Sequence, residues 1–174
     1  GRDFHKATVI SNYIHRFLVK DSLEKSKIKT DSILLEPTMK NTSAAVTLST
    51  LYLLKKDPNA VILIAPSDHL VDEVKFKAFF SKNFNTFDKN FLYVFGIKPT
   101  EPNPSYGYIR KGNKIKNNFF YVEKFFEKPK ISEAKQFLKT NSFYWNSGIF
   151  LFSATTFIDE MKLHSPKTLE TCKQ

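Results

Sequence analysis

Ala60–Ala65 reads AVILIA, an apolar run with no alternation at all. A strand with one wet face alternates polar and apolar positions, so an unbroken run predicts a strand covered on both faces, as in a parallel sheet. Parallel neighbours need a crossover, normally a helix. The flanking sequence supplies the parts. Ala7–Ile10 and Ser32–Leu35 are short apolar runs of strand character, and Phe91–Phe95 is a fourth. Between them Ile14, Phe17 and Leu18, then Ala44, Leu48, Leu51 and Tyr52, recur at helical spacing. Asn12 suits the start of the first helix and Asp57-Pro58 stops the second. Phe76, Phe79, Phe80, Phe84 and Phe87 form the strongest helical stripe, which predicts core. Strand and helix alternate over short connections, so the fold class is α/β, with a mostly parallel sheet flanked by helices.

After Gly96 the style changes. Lys98–Ser105 holds three prolines and no period, which predicts a loop. Tyr108–Arg110 and Phe119–Phe125 flank a polar stretch, Lys111–Asn118, and predict a hairpin. Ser132 suits the cap of a helix bearing Ala134, Phe137 and Leu138. Gly148–Phe152 is a further strand, and Ala154, Phe157, Ile158 and Met161 mark a helix ending before Pro166.

The formal net charge is +10. A nucleic-acid surface gathers its basic residues on one helix or loop among stacking aromatics. Here the lysines are scattered over hairpin and helix, so a solvated face is expected, and no nucleic-acid partner. The positive field would still attract a small anionic substrate. No apolar run approaches the ~20 residues of a membrane helix, so no membrane partner is expected. Cys172 is the sole cysteine. No internal disulfide can form, which fits a reducing, cytoplasmic compartment.

Ligands of open α/β sheets bind beyond the carboxyl ends of strands. Glu36, Pro66-Ser67-Asp68-His69 and Lys98–Tyr106 lie just past such ends. Asp68 can hold a hard cation shared with substrate phosphates, or form a turn or helix cap. Asn41-Thr42-Ser43 opens a helix, as a cap or as an anion or base site. Glu127-Lys128-Pro129 ends a strand, and Lys128 is either solvated or anion-binding. Gly107, between Tyr106 and Tyr108, lets a ligand approach the backbone or marks a bulge. Asn146, before Ser147-Gly148, presents an amide to hydroxyls or stabilises a turn.

Taken in order, these motifs resemble one family. Ile33-Leu34-Leu35-Glu36-Pro37 with Asn41-Thr42 comes first, then Pro66-Ser67-Asp68-His69. Phe95–Thr100 with Tyr106–Ile109, Phe126–Pro129 and Tyr144–Phe150 complete the set. The chain resembles the nucleotidyltransferase domain of the mannose-1-phosphate guanylyltransferases over nearly its whole length. The asparagine-threonine and tryptophan-asparagine elements favour the mannose branch over other sugar-1-phosphate nucleotidyltransferases. The resemblance implies a Rossmann-like nucleotide-diphospho-sugar transferase fold with an added sugar-binding hairpin. It implies that GTP and mannose 1-phosphate give GDP-mannose and pyrophosphate, with Mg²⁺ bridging phosphates. By similarity Asp68 is the metal and catalytic carboxylate. Glu36, Asn41, Thr42 and Pro66 face the nucleotide. Gly107, Glu127 and Asn146 hold the sugar, and Lys128 holds its phosphate in a catalytic role.

Departures from the family pattern set further expectations. Its glycine-rich phosphate loop and first strand have no counterpart here, and position 40 is Lys where Arg is usual. Residues 1–174 are therefore expected to be a single partial domain, inactive alone, with a homo-oligomeric or complementary chain covering exposed edges. A non-catalytic remnant, or an assembly subunit of a sugar-nucleotide enzyme, is the alternative.

Overall fold

The computed structural model describes residues 4–37, 42–83, 86–116 and 118–173. The chain divides into two units. The first gathers Gly1–Ile62, His69–Leu92 and Phe152–Gln174; the second gathers Leu63–Asp68 and Tyr93–Leu151.

In the first unit β1 (Thr8–Asn12) and β2 (Ser32–Glu36) pair in parallel, from Thr8 opposite Ser32 to Asn12 opposite Glu36. Asn12 does act as a cap: its Oδ1 accepts the Ile14 N–H at 2.9 Å. A turn of 3-10 helix follows over Tyr13–His15, then α1 (Arg16–Lys25). The spacing of Ile14, Phe17 and Leu18 yields helical turns, but these side chains stay 76, 69 and 66% exposed.

The helix α2 (Thr42–Lys56) buries Val46, Thr47, Ser49 and Thr50. Three of these are hydroxyl residues in apolar surroundings. Each donates to the carbonyl four residues back, Thr47 to Ser43, Ser49 to Ala45 and Thr50 to Val46. That satisfies the hydroxyls and makes their burial affordable. One turn on from Thr47 and Thr50, Leu51 and Leu54 of α2 pack against Ile158, Met161 and Leu169. Those residues lie on α5 (Ala154–His164) and α6 (Pro166–Lys173). Pro166 stops one helix, as expected, and opens the next, because the first helical position needs no N–H.

The phenylalanine stripe falls on and after α3 (Glu73–Asn83). Phe80 is 3% exposed and its ring meets those of Phe4, Phe76, Phe79 and Phe87 at 4.7–6.1 Å between centroids. Phe84 lies outside the described residues.

Asp31, Ser32, Tyr52 and Lys56 tie β2 to α2. Lys56 pairs with Asp31, and Ser32 bridges to Tyr52. The Lys56 hydrogen bond, then that of Ser32, hold the Asp31 carboxyl below its usual value. A carboxylate lowered in the fold stabilises it above the unfolded pKa and loses that contribution as pH falls through the folded one. Asp31→Asn is therefore expected to lower stability modestly at neutral pH and to flatten the loss below about pH 5, so that parent and variant converge in acid. Urea midpoints across that range measure it. A parent and variant with parallel acid limbs would count against this account of the pair.

The second unit is built on a five-stranded sheet, of whose residues Val61, Ile62, Phe152 and Ser153 are grouped with the first unit. Its strands are β3 (Val61–Ile64), β4 (Tyr93–Ile97), β5 (Tyr108–Lys116), β6 (Phe119–Phe126) and β7 (Phe143–Ser153). The order is β3-β7-β5-β6, with β4 also pairing with β7. The pairings of β4 with β7, β5 with β7 and β5 with β6 are antiparallel. Tyr108, Phe126, Phe137, Phe143 and Trp145 form the core here, with Ala134. Phe137 stacks on Phe143 at 4.1 Å.

Four sequence expectations need correction. Two-sided burial of the AVILIA run holds at Ile62, 5% exposed, but not at Val61, 40% exposed. The fourth strand starts at Tyr93, because a turn in which Asp88 accepts from Asn90 and Phe91 occupies the preceding residues. The hairpin strand β5 runs on to Lys116, since Lys111, Lys114 and Lys116 find partners across in Val122, Phe120 and Phe119. Finally, α4 (Ile131–Leu138) is opened by Lys130, not Ser132, with Glu133 Oε2 accepting the Lys130 N–H at 2.8 Å.

Candidate active site

Strand register builds the site in the second unit. Tyr108 of β5 lies opposite Phe126 on one side and opposite Trp145 on the other. One step back, Gly107 must therefore fall between Glu127 and Asn146. It does: the Asn146 N–H donates to the Gly107 carbonyl at 2.8 Å. A Cβ placed on Gly107 would stand 3.0 Å from Glu127 Oε2 and 3.6 Å from Asn146 Cβ. The absent side chain thus leaves a notch walled by a carboxylate and an amide.

Of the two roles open to Asn146 in the sequence, the structure shows the turn. Its Oδ1 accepts the Gly148 N–H at 3.2 Å, which fixes the turn. With the oxygen so engaged, the Nδ2 hydrogens remain as donors for a hydroxyl. Gly148 itself sits at φ +68°, in the left-handed region that glycine enters without penalty. A Cβ there would also come 3.2 Å from Pro66 Cγ. Pro66 is thereby held against the Asn146–Gly148 turn, and Asp68 follows it two residues on.

On the other side of the notch, Lys128 follows Glu127 with φ +47°. That backbone costs a non-glycine residue about 1–2 kcal/mol. It persists where surrounding structure enforces it. Pro129 is buried immediately after, and α4 is anchored at Lys130. Lys128 itself is exposed. Tyr106, 48% exposed, sets its ring edge-on to Trp145 at 5.2 Å.

The structure therefore brings Pro66, Gly107, Glu127 and Asn146 together, with Asp68 and Lys128 adjoining in sequence. The contact between Pro66 and Gly148 was not foreseen. Its only sequence signal was the Asn-Ser-Gly turn at 146–148. Glu36 and Thr42 belong to the first unit, and Asn41 lies outside the described residues. Thr42 is the first residue of α2. Burial pushes the Glu36 carboxyl above its ordinary value, and burial followed by the Glu36 charge pushes the Cys172 thiol up. Cys172 Sγ donates to the Ala44 carbonyl at 3.8 Å, so it acts as a packed thiol.

Among the described residues no group of three or more His, Cys, Asp or Glu could hold a metal ion. A dedicated protein cage is not needed for Mg²⁺, which usually takes one or two carboxylates and completes its shell with water and phosphate oxygens. Asp68, exposed at the end of its segment, fits that donor chemistry.

The nucleotidyl transferase family model matches residues 1–174. The chain belongs to the nucleotidyl transferase family. It is 36% identical over 173 residues to an Escherichia coli mannose-1-phosphate guanylyltransferase, covering 95% of this chain and 37% of that one. It is 37% identical over 169 residues to the Salmonella typhimurium enzyme of that name, covering 95% and 35%. A Helicobacter pylori crystal structure described as a mannose-6-phosphate isomerase superposes with a TM-score of 0.80 at 34% identity. That match covers 97% of this chain and 63% of the other. The chain thus spans little more than a third of the curated relatives it matches. As a nucleotidyl transferase it has the nucleotide-diphospho-sugar transferase fold, and it is an enzyme by family. Its resemblance to the mannose-1-phosphate guanylyltransferases extends over almost the whole chain. Among the described residues no helix is long and apolar enough to cross a membrane.

Gly107 gives the notch its most direct test. Alanine at 107 would press on the mobile end of Glu127 rather than on backbone. Gly107→Ala is expected to keep or slightly raise thermal stability, by up to about 1 kcal/mol. If a sugar phosphate enters the notch, filling it should weaken that binding roughly tenfold, equal to about 1.4 kcal/mol. Calorimetric titration beside a thermal melt separates the two. Unchanged affinity would show that no ligand enters there.

Proposed function

We propose that this chain carries the sugar-phosphate half of a mannose-1-phosphate guanylyltransferase site, acting on GTP and mannose 1-phosphate to form GDP-mannose and pyrophosphate. The observation that supports it is the notch at Gly107, where two strand registers set Glu127 and Asn146 around a missing side chain. A carboxylate acceptor and an amide donor side by side suit paired sugar hydroxyls. Lys128, adjoining Glu127, supplies the point charge for the sugar's phosphate. Bound there, the phosphate oxygen is positioned to attack the α-phosphorus of the nucleotide, and orientation is the larger part of such catalysis. Mg²⁺ on Asp68 would supply charge neutralisation of the phosphates.

Glu36, Thr42, Asn41 and Pro66 are assigned to the nucleotide on the strength of the family resemblance. No two of the chain's five glycines lie closer than five positions, so no glycine-rich run of flexible backbone amides is available in it to cradle a triphosphate. Residues 1–174 should accordingly bind mannose 1-phosphate yet turn it over poorly. We read the protein as cytoplasmic, its lone Cys172 needing no oxidising compartment.

Titration with mannose 1-phosphate and with glucose 1-phosphate, followed by a pyrophosphate-release assay with GTP and Mg²⁺, tests both parts. Saturable binding that prefers the mannose compound supports the assignment. No binding of either sugar phosphate would sink it and favour a non-catalytic subunit. Turnover at an ordinary enzyme rate, roughly 1–10³ per second, would refute the expected weak activity.

A further inference from the structure

We propose that Phe125 reads the C6 end of the bound hexose, from an apolar row, Phe125–Ile109–Tyr144, that continues the floor of the Gly107 notch; this rests on that notch being the sugar site. Strand register places the row. Ile109 of β5 lies opposite Phe125 on β6 and opposite Tyr144 on β7. Side chains two apart along a strand share a face, so these three stand on the face of Gly107, Glu127 and Asn146, about 7 Å farther along the strands. The irregularities of the β5–β6 ladder begin only beyond the row, past Arg110. Ile109 is 5% exposed and forms the floor. Tyr144 is held in place: its oxygen accepts from Lys111 Nζ at 3.3 Å, and its Cβ takes the space beside Gly96, where an added Cβ would come within 2.7 Å. Phe125 is 51% exposed and meets no other ring among the described residues.

An open aromatic ring beside one carboxylate and one amide has the make-up of a small-molecule site, apolar walls with a few placed polar groups. Strand direction sets which end of the sugar meets it. β6 runs from Phe119 to Phe126, so Lys128 lies past its end and Phe125 lies inward. With the C1 phosphate on Lys128 and ring hydroxyls on Glu127 and Asn146, the far end of the pyranose points inward along β6. That end is C4, with C5 and its C6 branch, and Phe125 is the first side chain it reaches on this face. Phe125 and Ile109 offer no hydrogen bond, and the Tyr144 oxygen is already engaged. The row therefore gains from the C6 carbon by burying it against a ring, and little from the hydroxyl that C6 carries. It favours hexose 1-phosphates over pentose 1-phosphates of the same ring stereochemistry, and is indifferent to a 6-deoxy sugar.

Calorimetric titration of the whole chain with mannose 1-phosphate, 6-deoxymannose 1-phosphate and lyxose 1-phosphate (mannose without C6) tests this. The parent should bind the first two alike and the lyxose compound roughly four- to tenfold more weakly. That comparison needs no variant. Phe125→Ala should weaken mannose 1-phosphate by about the same factor and leave lyxose 1-phosphate and inorganic phosphate unchanged, so that the preference for the hexose disappears. Phe125→Leu, still bulky and apolar, should keep most of it. Equal affinity of the parent for mannose and lyxose 1-phosphates, or a preference that survives Phe125→Ala, would overturn the inference and leave the notch as the sugar site. A uniform loss for every ligand in Phe125→Ala would also overturn it, since a ring that only packs weakens them together. A parent that binds none of the three sugar phosphates would overturn both the inference and the sugar site beneath it.

Discussion

Replacing Phe80 by alanine is expected to cost about 3–5 kcal/mol, the usual range for a buried phenylalanine. Few single substitutions in the first unit should cost more. Phe80 is 3% exposed and sits among Phe4, Phe76, Phe79 and Phe87. Truncation would remove one ring from four contacts at once. Three of the neighbouring rings lie on the same helix or just beyond it, and their backbone positions limit how far they can close on the space left. Part of the loss is transfer free energy and part is the residual cavity. A domain typically holds 5–15 kcal/mol in total, so the variant should populate unfolded chain at moderate urea. Chemical denaturation gives the number through the midpoint shift at constant slope. Phe80→Leu, which refills most of the volume, should recover more than half of it. A loss under 1 kcal/mol for the alanine variant would mean that the aromatic cluster is not core.

The second large effect is on binding. Lys128→Met keeps an unbranched side chain of similar length and removes only the charge. If Lys128 holds the sugar's phosphate, the loss of a charge-assisted hydrogen bond of about 1.5–3 kcal/mol weakens mannose 1-phosphate roughly 10- to 100-fold. Mannose itself, without the phosphate, should bind the variant and parent equally. That comparison excludes general damage at a residue whose backbone is held at φ +47°. Lys128→Arg keeps the charge and should fall between, because a guanidinium fork does not reproduce a compact ammonium. Equal affinity of Lys128→Met and parent for the sugar phosphate would remove this lysine from the site.

Much of this was legible in the sequence, for physical reasons that differ by element. The parallel strands β1 and β2 show as short apolar runs, and the stripe around Phe80 carries a strong periodic signal that local contacts honour. The hairpin was legible as a hairpin, but its strands ran longer than expected. Lys111, Lys114 and Lys116 look like turn residues until their cross-strand partners are known. The stripe Ile14, Phe17 and Leu18 has a helix's period yet stays exposed, because period reports the helix and not what covers it. At the site, Gly107, Glu127 and Asn146 were marked separately. Their meeting depends on two registers that no single stretch of sequence encodes. The Pro66–Gly148 contact was hidden for the same reason: it joins segments about eighty residues apart.

Anchoring of Gly107 from both flanks also separates what may vary here from what may not. The pairs Tyr108–Phe126 and Tyr108–Trp145 fix the base of the hairpin, while every irregularity in its ladder lies farther out, between Arg110 and Lys116. Residues added or removed at the tip are absorbed by those bulges, whereas one residue gained or lost between Glu127 and the base would turn the carboxylate to the opposite face. The outer hairpin is therefore free to change length between related proteins without disturbing the chemistry at its root.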